Sequence, residues 1–120
     1  MKSPVKEAQE TFFIKATRGA DAQGEPTSDG FVVFQGSKIA TSIVPSFTES
    51  FKRLRNQLID NEVIGKQNGI LVFLEDHVFS SPSTAAMIIM GRNANGLTEW
   101  KLKSGKTLKA FESEKSNQDE

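Results

Sequence analysis

The chain has 120 residues, 37% of them apolar, with 15 Lys plus Arg balancing 15 Asp plus Glu. That is one domain's worth of sequence, too apolar for a disordered chain and too polar for a membrane-embedded one. No cysteine is present, which excludes disulfide frameworks, thiolate zinc sites and cysteine nucleophiles and suits a reducing cytoplasm. Residues 1–10 carry lysines but no apolar signal core, and no run approaches the ~18 residues of a membrane span. A flexible N-terminus, a cytoplasmic location and no membrane contact are therefore expected.

Zero net charge conceals an asymmetry. Between residues 77 and 111, Arg92, Lys101, Lys103, Lys106 and Lys109 stand against Glu99 alone, a balance of +4. Residues 112–120 reverse it, with Glu112, Glu114, Asp119 and Glu120 against Lys115, net −3, and no aromatic. This stretch reads as a disordered acidic tail that screens the basic segment before it. A single globular domain is expected over residues 11–111.

Phe12, Phe13 and Ile14 predict a strand over residues 11–17, and the polar stretch 18–29, with Gly19, Gly24 and Pro26, reads as a loop. Phe31, Val32, Val33 and Phe34 form a second strand bounded by Gly30 and Gly36. The alternation of Ile39, Thr41 and Ile43 predicts a third that pairs back on it. Ser46 and Glu49 spell a capping box that opens a helix. Phe47, Phe51, Leu54 and Leu58 form its buried stripe, Lys52, Arg53 and Arg55 lie on the other face, and it frays near Asn61 ahead of Gly65 and Asn68-Gly69.

The apolar run at residues 70–74 reads as a central strand buried on both faces, closed by Glu75, Asp76 and His77. Ser81 and Pro82 mark the N-cap and first position of a second helix, residues 83–90, ending at a left-handed Gly91. Asn95-Gly96 is a turn signal, and Thr98, Trp100 and Leu102 share one strand face. Ser104-Gly105 then turns the chain, and residues 107–111 return antiparallel. The expected fold is α+β: a mostly antiparallel sheet of five to seven strands with two helices, in the order βββ-α-β-α-ββ.

No catalytic set emerges. Gly105-Lys106-Thr107 ends like a phosphate-binding P-loop, but that motif needs a glycine where Trp100 stands, so a hairpin turn fits better. His77 is the sole histidine; it lacks the further ligands of a metal site, and Ser80, Ser81 and Ser83 sit in no G-x-S-x-G elbow. A non-enzymatic chain without metal or cofactor is the expectation.

Binding residues are easier to name. Ser81 and Ser83 bring hydroxyls and backbone N–H groups together at a helix start, which suits capping or a phosphate oxygen. Arg92, Asn93 and Asn95 lie in the loop beyond that helix. Trp100, the sole tryptophan, fits a core position or a stacking platform. Lys101 and Lys103 point away from the Trp100 face by strand alternation, and Lys106 sits on the turn. These lysines suit phosphate contacts or a merely solvated hairpin.

Two stretches resemble a known family: Gly30-Phe31-Val32-Val33-Phe34-Gln35-Gly36-Ser37-Lys38, and Phe79-Ser80-Ser81-Pro82-Ser83-Thr84-Ala85-Ala86 running into Gly91-Arg92-Asn93-Ala94-Asn95-Gly96-Leu97-Thr98-Glu99-Trp100-Lys101. They resemble domain of unknown function family 4357, with Gly19-Ala20-Asp21-Ala22, Leu54-Arg55 and Gly105-Lys106-Thr107-Leu108 extending the likeness over residues 11–109. That family is found fused behind GIY-YIG nuclease domains or in bacterial restriction-type proteins, which implies an accessory role on nucleic acid. Residues 81–108 are also similar to the restriction-and-adenine-methylase-associated domain, which implies sensing of modified DNA. Where the family commonly carries a second aromatic this chain has Leu97, leaving Trp100 for base stacking. The resemblance implies a non-catalytic accessory module that binds nucleic acid or senses modified DNA beside a nuclease or other protein partner. Its contacts would be Ser81, Ser83, Arg92, Asn93, Asn95, Trp100, Lys101, Lys103 and Lys106. The alternative is a protein-interaction module that pairs a partner on the exposed edge of residues 11–17.

Overall fold

The computed structural model describes residues 10–118, so the flexible start expected for residues 1–10 falls, apart from Glu10, outside the described residues. The class is α+β, with six strands and four helices among the described residues. In chain order these are β1 (Phe12–Lys15), β2 (Asp21–Thr27), β3 (Gly30–Val33), α1 (Glu49–Asp60), β4 (Ile64–Gln67), β5 (Ile70–Phe73), β6 (His77–Phe79), α2 (Pro82–Met90), α3 (Gly96–Glu99) and α4 (Leu108–Gln118). The strands form two antiparallel groups instead of the single expected sheet: a four-stranded sheet ordered β1-β2-β3-β6 and a separate β4-β5 hairpin.

Strand alternation builds the core. Phe12, Ile14, Ala22, Phe31, Val33 and Phe79 occupy one face of the four-stranded sheet and are buried, the period-2 pattern of a sheet covered on one side. α2 lies against β2, β3 and β6. It is apolar nearly all round, and Ala85, Ala86, Ile88, Ile89 and Met90 are all buried, as befits a helix inside the core. Full burial of Ile88 or Ile89 contributes about 1.5–3 kcal/mol each. The sequence signals for this helix hold: Ser81 is its N-cap, Pro82 its first residue, and Gly91 ends it at φ 69°.

Elsewhere the structure corrects the sequence reading. The expected loop at residues 18–29 contains β2. Its inward positions are Ala22 and Gly24, and a Cβ on Gly24 would lie 2.5 Å from the Phe31 ring. The apolar surface there belongs to β3, so β2 shows no hydrophobic alternation of its own. Pro26 is tolerated because β1 pairs only as far as Gly24, leaving residues 25–27 bonded on one side. Residues 39–43 form no strand. Lys38 makes single bridges to Asp21 and Val72 and so ties the hairpin to the main sheet.

α1 starts after Thr48, without the expected Ser46 box. Phe51 and Leu54 pack against the core and Leu58 is buried in it. Arg55, expected on the solvent face, is half-buried and donates from Nη2 to Ala40 O at 2.8 Å. The run at residues 70–74 supplies the β4-β5 hairpin instead of a strand of the main sheet; Val72 and Phe73 are buried, while Ile70 is 37% exposed. Asn68 and Gly69, both left-handed at φ 54° and 82°, form its turn.

The C-terminal third departs most. Thr98 and Glu99 belong to α3, so the expected strand through Trp100 shrinks to single bridges from Lys101 to Phe13 and to Thr107. Residues 108–111, expected as a returning strand, open α4. Thr107 accepts the Ala110 N–H at 3.1 Å, Leu108 is fully buried, and Phe111 meets Phe12 edge-on at 5.4 Å. Residues 112–118, read as the start of an acidic tail, continue this helix, while Asp119 and Glu120 lie outside the described residues. No helix of the described residues is long and apolar enough to cross a membrane.

Candidate nucleic-acid interface

No helix of the described residues covers the outer face of the sheet, where Lys15, Asp21, Gln23 and Val78 are exposed. Phe13 N–H donates to Lys101 O at 2.7 Å, and Lys101 N–H donates back to Phe13 O at 3.0 Å. Phe13 also pairs with Gln23 on β2, and Lys101 pairs with Thr107. Directly opposed residues of antiparallel chains put their side chains on the same face. Gln23, Phe13, Lys101 and Thr107 therefore form one row across the outer face: an amide, an aromatic, a cation and a hydroxyl.

Beside this row lies an open groove of about 540 Å³, lined by Glu10, Thr11, Phe13, Gln23, Leu102, Lys103 and Ser104. Its far wall is a tight turn, closed by Leu102 N–H to Lys106 O and Gly105 N–H to Leu102 O, both at 2.8 Å, with Gly105 at φ 96°. This is the hairpin turn expected from Ser104-Gly105. Lys101 and Lys103 are exposed and form no ion pair among the described residues. Lys106 donates to Glu114 Oε1 at 2.6 Å, so the first turns of α4 hold one of the three hairpin lysines.

The other candidate residues lie elsewhere and hold the fold together. Trp100 is fully buried, with its ring 4.4 Å from Phe31 and Nε1 donating to Pro82 O at 3.0 Å. A base cannot reach that ring, which corrects the stacking role given to Trp100. Ser81 Oγ accepts the Thr84 N–H at 3.1 Å, and Ser83 Oγ accepts the Gly96 N–H at 2.8 Å. The start of α2 thus faces Gly96 and Trp100, and both serines act as caps and ties.

Asn95 Oδ1 accepts the Leu97 N–H at 2.9 Å and caps α3, while Asn93 Oδ1 accepts from Thr48 Oγ1 at 3.0 Å and from Thr48 N–H at 3.4 Å beside α1. Arg92 folds back on its own loop, Nη1 to Asn93 O at 3.3 Å and Nη2 within 3.7 Å of Glu99. Of the nine candidates, the structure gathers Lys101, Lys103 and Lys106 on one hairpin and sets Ser81, Ser83 and Trp100 together at the α2 start. Phe13 and Gln23 were not among the candidates. The signal for Phe13 was available, since alternation with the inward Phe12 and Ile14 turns it outward; Gln23 sat in a stretch without strand signal.

His77 stands apart on β6, its ring edge-on to Phe79 at 4.7 Å. Partial burial pushes its pKa below the usual histidine value, opposed by the charge of Glu75. Among the described residues no three His, Asp or Glu side chains gather as metal ligands.

No curated protein and no solved structure matches the chain. The family model described as "Domain of unknown function (DUF4357)" matches residues 12–112. That span runs from the first residue of β1 into α4 and takes in every strand among the described residues, the lysine hairpin and the groove lining apart from Glu10 and Thr11, and so the chain belongs to this domain family.

Proposed function

We propose that this chain is a non-catalytic nucleic-acid-binding module that works in a reducing cytoplasm beside a nuclease or restriction-type partner. The observation that carries the reading is the hairpin: Lys101 stands in the outer-face row with Phe13 and Gln23, and Lys103 borders the adjoining groove. Exposed ammonium groups that have no carboxylate partner among the described residues are free to displace counterions from phosphates. The nuclease and restriction context, and with it modified DNA as a ligand, rests on the sequence resemblance of residues 11–109 and 81–108. In this reading Lys101 and Lys103 make the phosphate contacts, Lys106 joins them when it leaves Glu114, and Arg92 is peripheral.

The test is a titration of labelled duplex, single-stranded and adenine-methylated DNA at several salt concentrations. Two or three phosphate contacts give a log–log salt slope of about −2 to −3, and Lys101→Glu with Lys103→Glu removes the binding. A flat salt dependence, or a double variant that binds like the parent, overturns the reading.

A protein-interaction reading has its own observation. Val32 pairs with Val78 on the same outer face, and Val78 is 49% exposed. The β1 edge first considered for a partner strand is taken at Phe13, whose backbone groups are bonded to Lys101. A partner held by the valines would be insensitive to the lysine reversal.

A further inference from the structure

Phe13 is locked in its outward position. Its N–H and C=O are both bonded to Lys101, and β2 holds the other side in register through Gln23. Turning the ring inward requires a one-residue slip of β1, which would expel Phe12 and Ile14 from the core. Both of those side chains are buried, at 0% and 3% exposure. The fold thus presents a half-buried aromatic ring on an open sheet face, with an amide on one side and an ammonium on the other.

Such a ring suits a base with a free face. Bases in a duplex are stacked on one another and offer none, whereas unpaired bases stack on exposed aromatics, with basic groups tracking the backbone beside them. The groove volume of about 540 Å³ falls within the size range of small-ligand sites. Charge orders the groove as well. Glu10 repels phosphate from its own part of the lining, and Thr11 Oγ1 holds Glu25 at 2.9 Å, which leaves the lysine hairpin as the side that accepts anions.

We propose that this groove is a base-stacking subsite for single-stranded nucleic acid: one unpaired base lies on Phe13, its polar edge meets the Gln23 amide, and the neighbouring phosphates meet Lys101 and Lys103. The proposal rests on the nucleic-acid reading above and specifies its ligand class.

The experiment uses the full chain and four labelled probes of about twelve nucleotides, a length within usual single-strand site sizes: oligo-dT, oligo-rU, an abasic deoxyribose-phosphate oligomer, and a duplex. Binding is followed by anisotropy for the parent, Phe13→Ala, Phe13→Leu, and Lys101→Glu with Lys103→Glu. Emission from the buried Trp100 confirms that each variant is folded. Stacking of one base predicts that oligo-dT or oligo-rU binds about tenfold or more tightly than the abasic oligomer, and that Phe13→Ala and Phe13→Leu both erase this difference. The ratio of oligo-dT to oligo-rU affinity separates DNA from RNA as the source of the strand. Equal affinity for abasic and base-bearing strands, preference for the duplex, or parent-like discrimination in Phe13→Leu overturns the subsite while leaving salt-dependent phosphate binding in place. No salt-sensitive binding to any of the four probes overturns the subsite and the nucleic-acid reading together.

Discussion

Trp100 Nε1 donates to Pro82 O at 3.0 Å, joining the residue after α3 to the first residue of α2. The same indole rests on Phe31, so one side chain fastens the C-terminal third to the central helix and the sheet. Trp100→Phe loses the hydrogen bond and part of the filled volume and should cost about 1–3 kcal/mol. Trp100→Ala should cost about 3–5 kcal/mol. Urea denaturation followed by circular dichroism reads both, and an unchanged midpoint for Trp100→Ala would remove the indole from the core.

Close approach of backbones at the same junction makes a second prediction. A Cβ on Gly96 would lie 2.3 Å from the Pro82 carbonyl carbon and 2.5 Å from Ser83 N, atoms that cannot rotate aside. Gly96→Ala must separate α3 from α2 and strain the Gly96-to-Ser83 bond, at about 1–3 kcal/mol or more. Gly105→Ala meets open space and carries only the strain of its φ of 96°, about 1–2 kcal/mol. The Gly96 variant should therefore unfold at the lower urea concentration.

Asn93 and Asn95 separate capping from recognition. Asn95→Ala removes the cap of α3 and should cost about 1 kcal/mol, and Asn93→Ala removes the bonds to Thr48 and should cost about 0.5–1.5 kcal/mol. Both variants should leave the salt slope of nucleic-acid binding where it was. A change in slope with unchanged stability would return these residues to the interface.

The Lys106–Glu114 pair links α4 to the hairpin. Glu114→Gln frees Lys106 and should raise nucleic-acid affinity by up to about fivefold at low salt, the range of an exposed ion pair. The gain should fade as salt screens it. A variant with parent affinity at low salt would show that Lys106 meets no phosphate.

His77 gives the protein a pH dependence of known sign. Burial holds its folded pKa below the unfolded value, so the unfolded chain binds the proton more readily. Stability is then intact above the unfolded pKa of about 6.5 and declines as pH falls through that value toward the folded one. His77→Gln should flatten the melting temperature between about pH 7.5 and pH 5.5 relative to the parent.

How much of this was legible depended on the range of the forces involved. α2 was readable because Ser81, Pro82 and Gly91 act on a backbone only a few residues away. The outward turn of Lys101 against the inward Trp100 was readable from alternation alone. β2 was not, because Ala22 and Gly24 contribute little apolar surface and the Phe31 ring fills the space above Gly24. The run at residues 70–74 looked central because five apolar residues carry no information about their neighbours, yet it pairs with β4 on one side and with residues 36–39 on the other instead of with a strand of the four-stranded sheet.

By itself the sequence determined the α+β class, the central helix with both its caps, and a basic hairpin near the C-terminus, all matters of local propensity and pattern. Only the tertiary structure decided that Trp100 is core, that Asn95 caps α3 while Asn93 holds Thr48, and that Phe13 shares a face with Lys101. Those outcomes depend on pairings between residues far apart in the chain, which are selected by how much apolar surface the whole fold buries and how many backbone groups it satisfies.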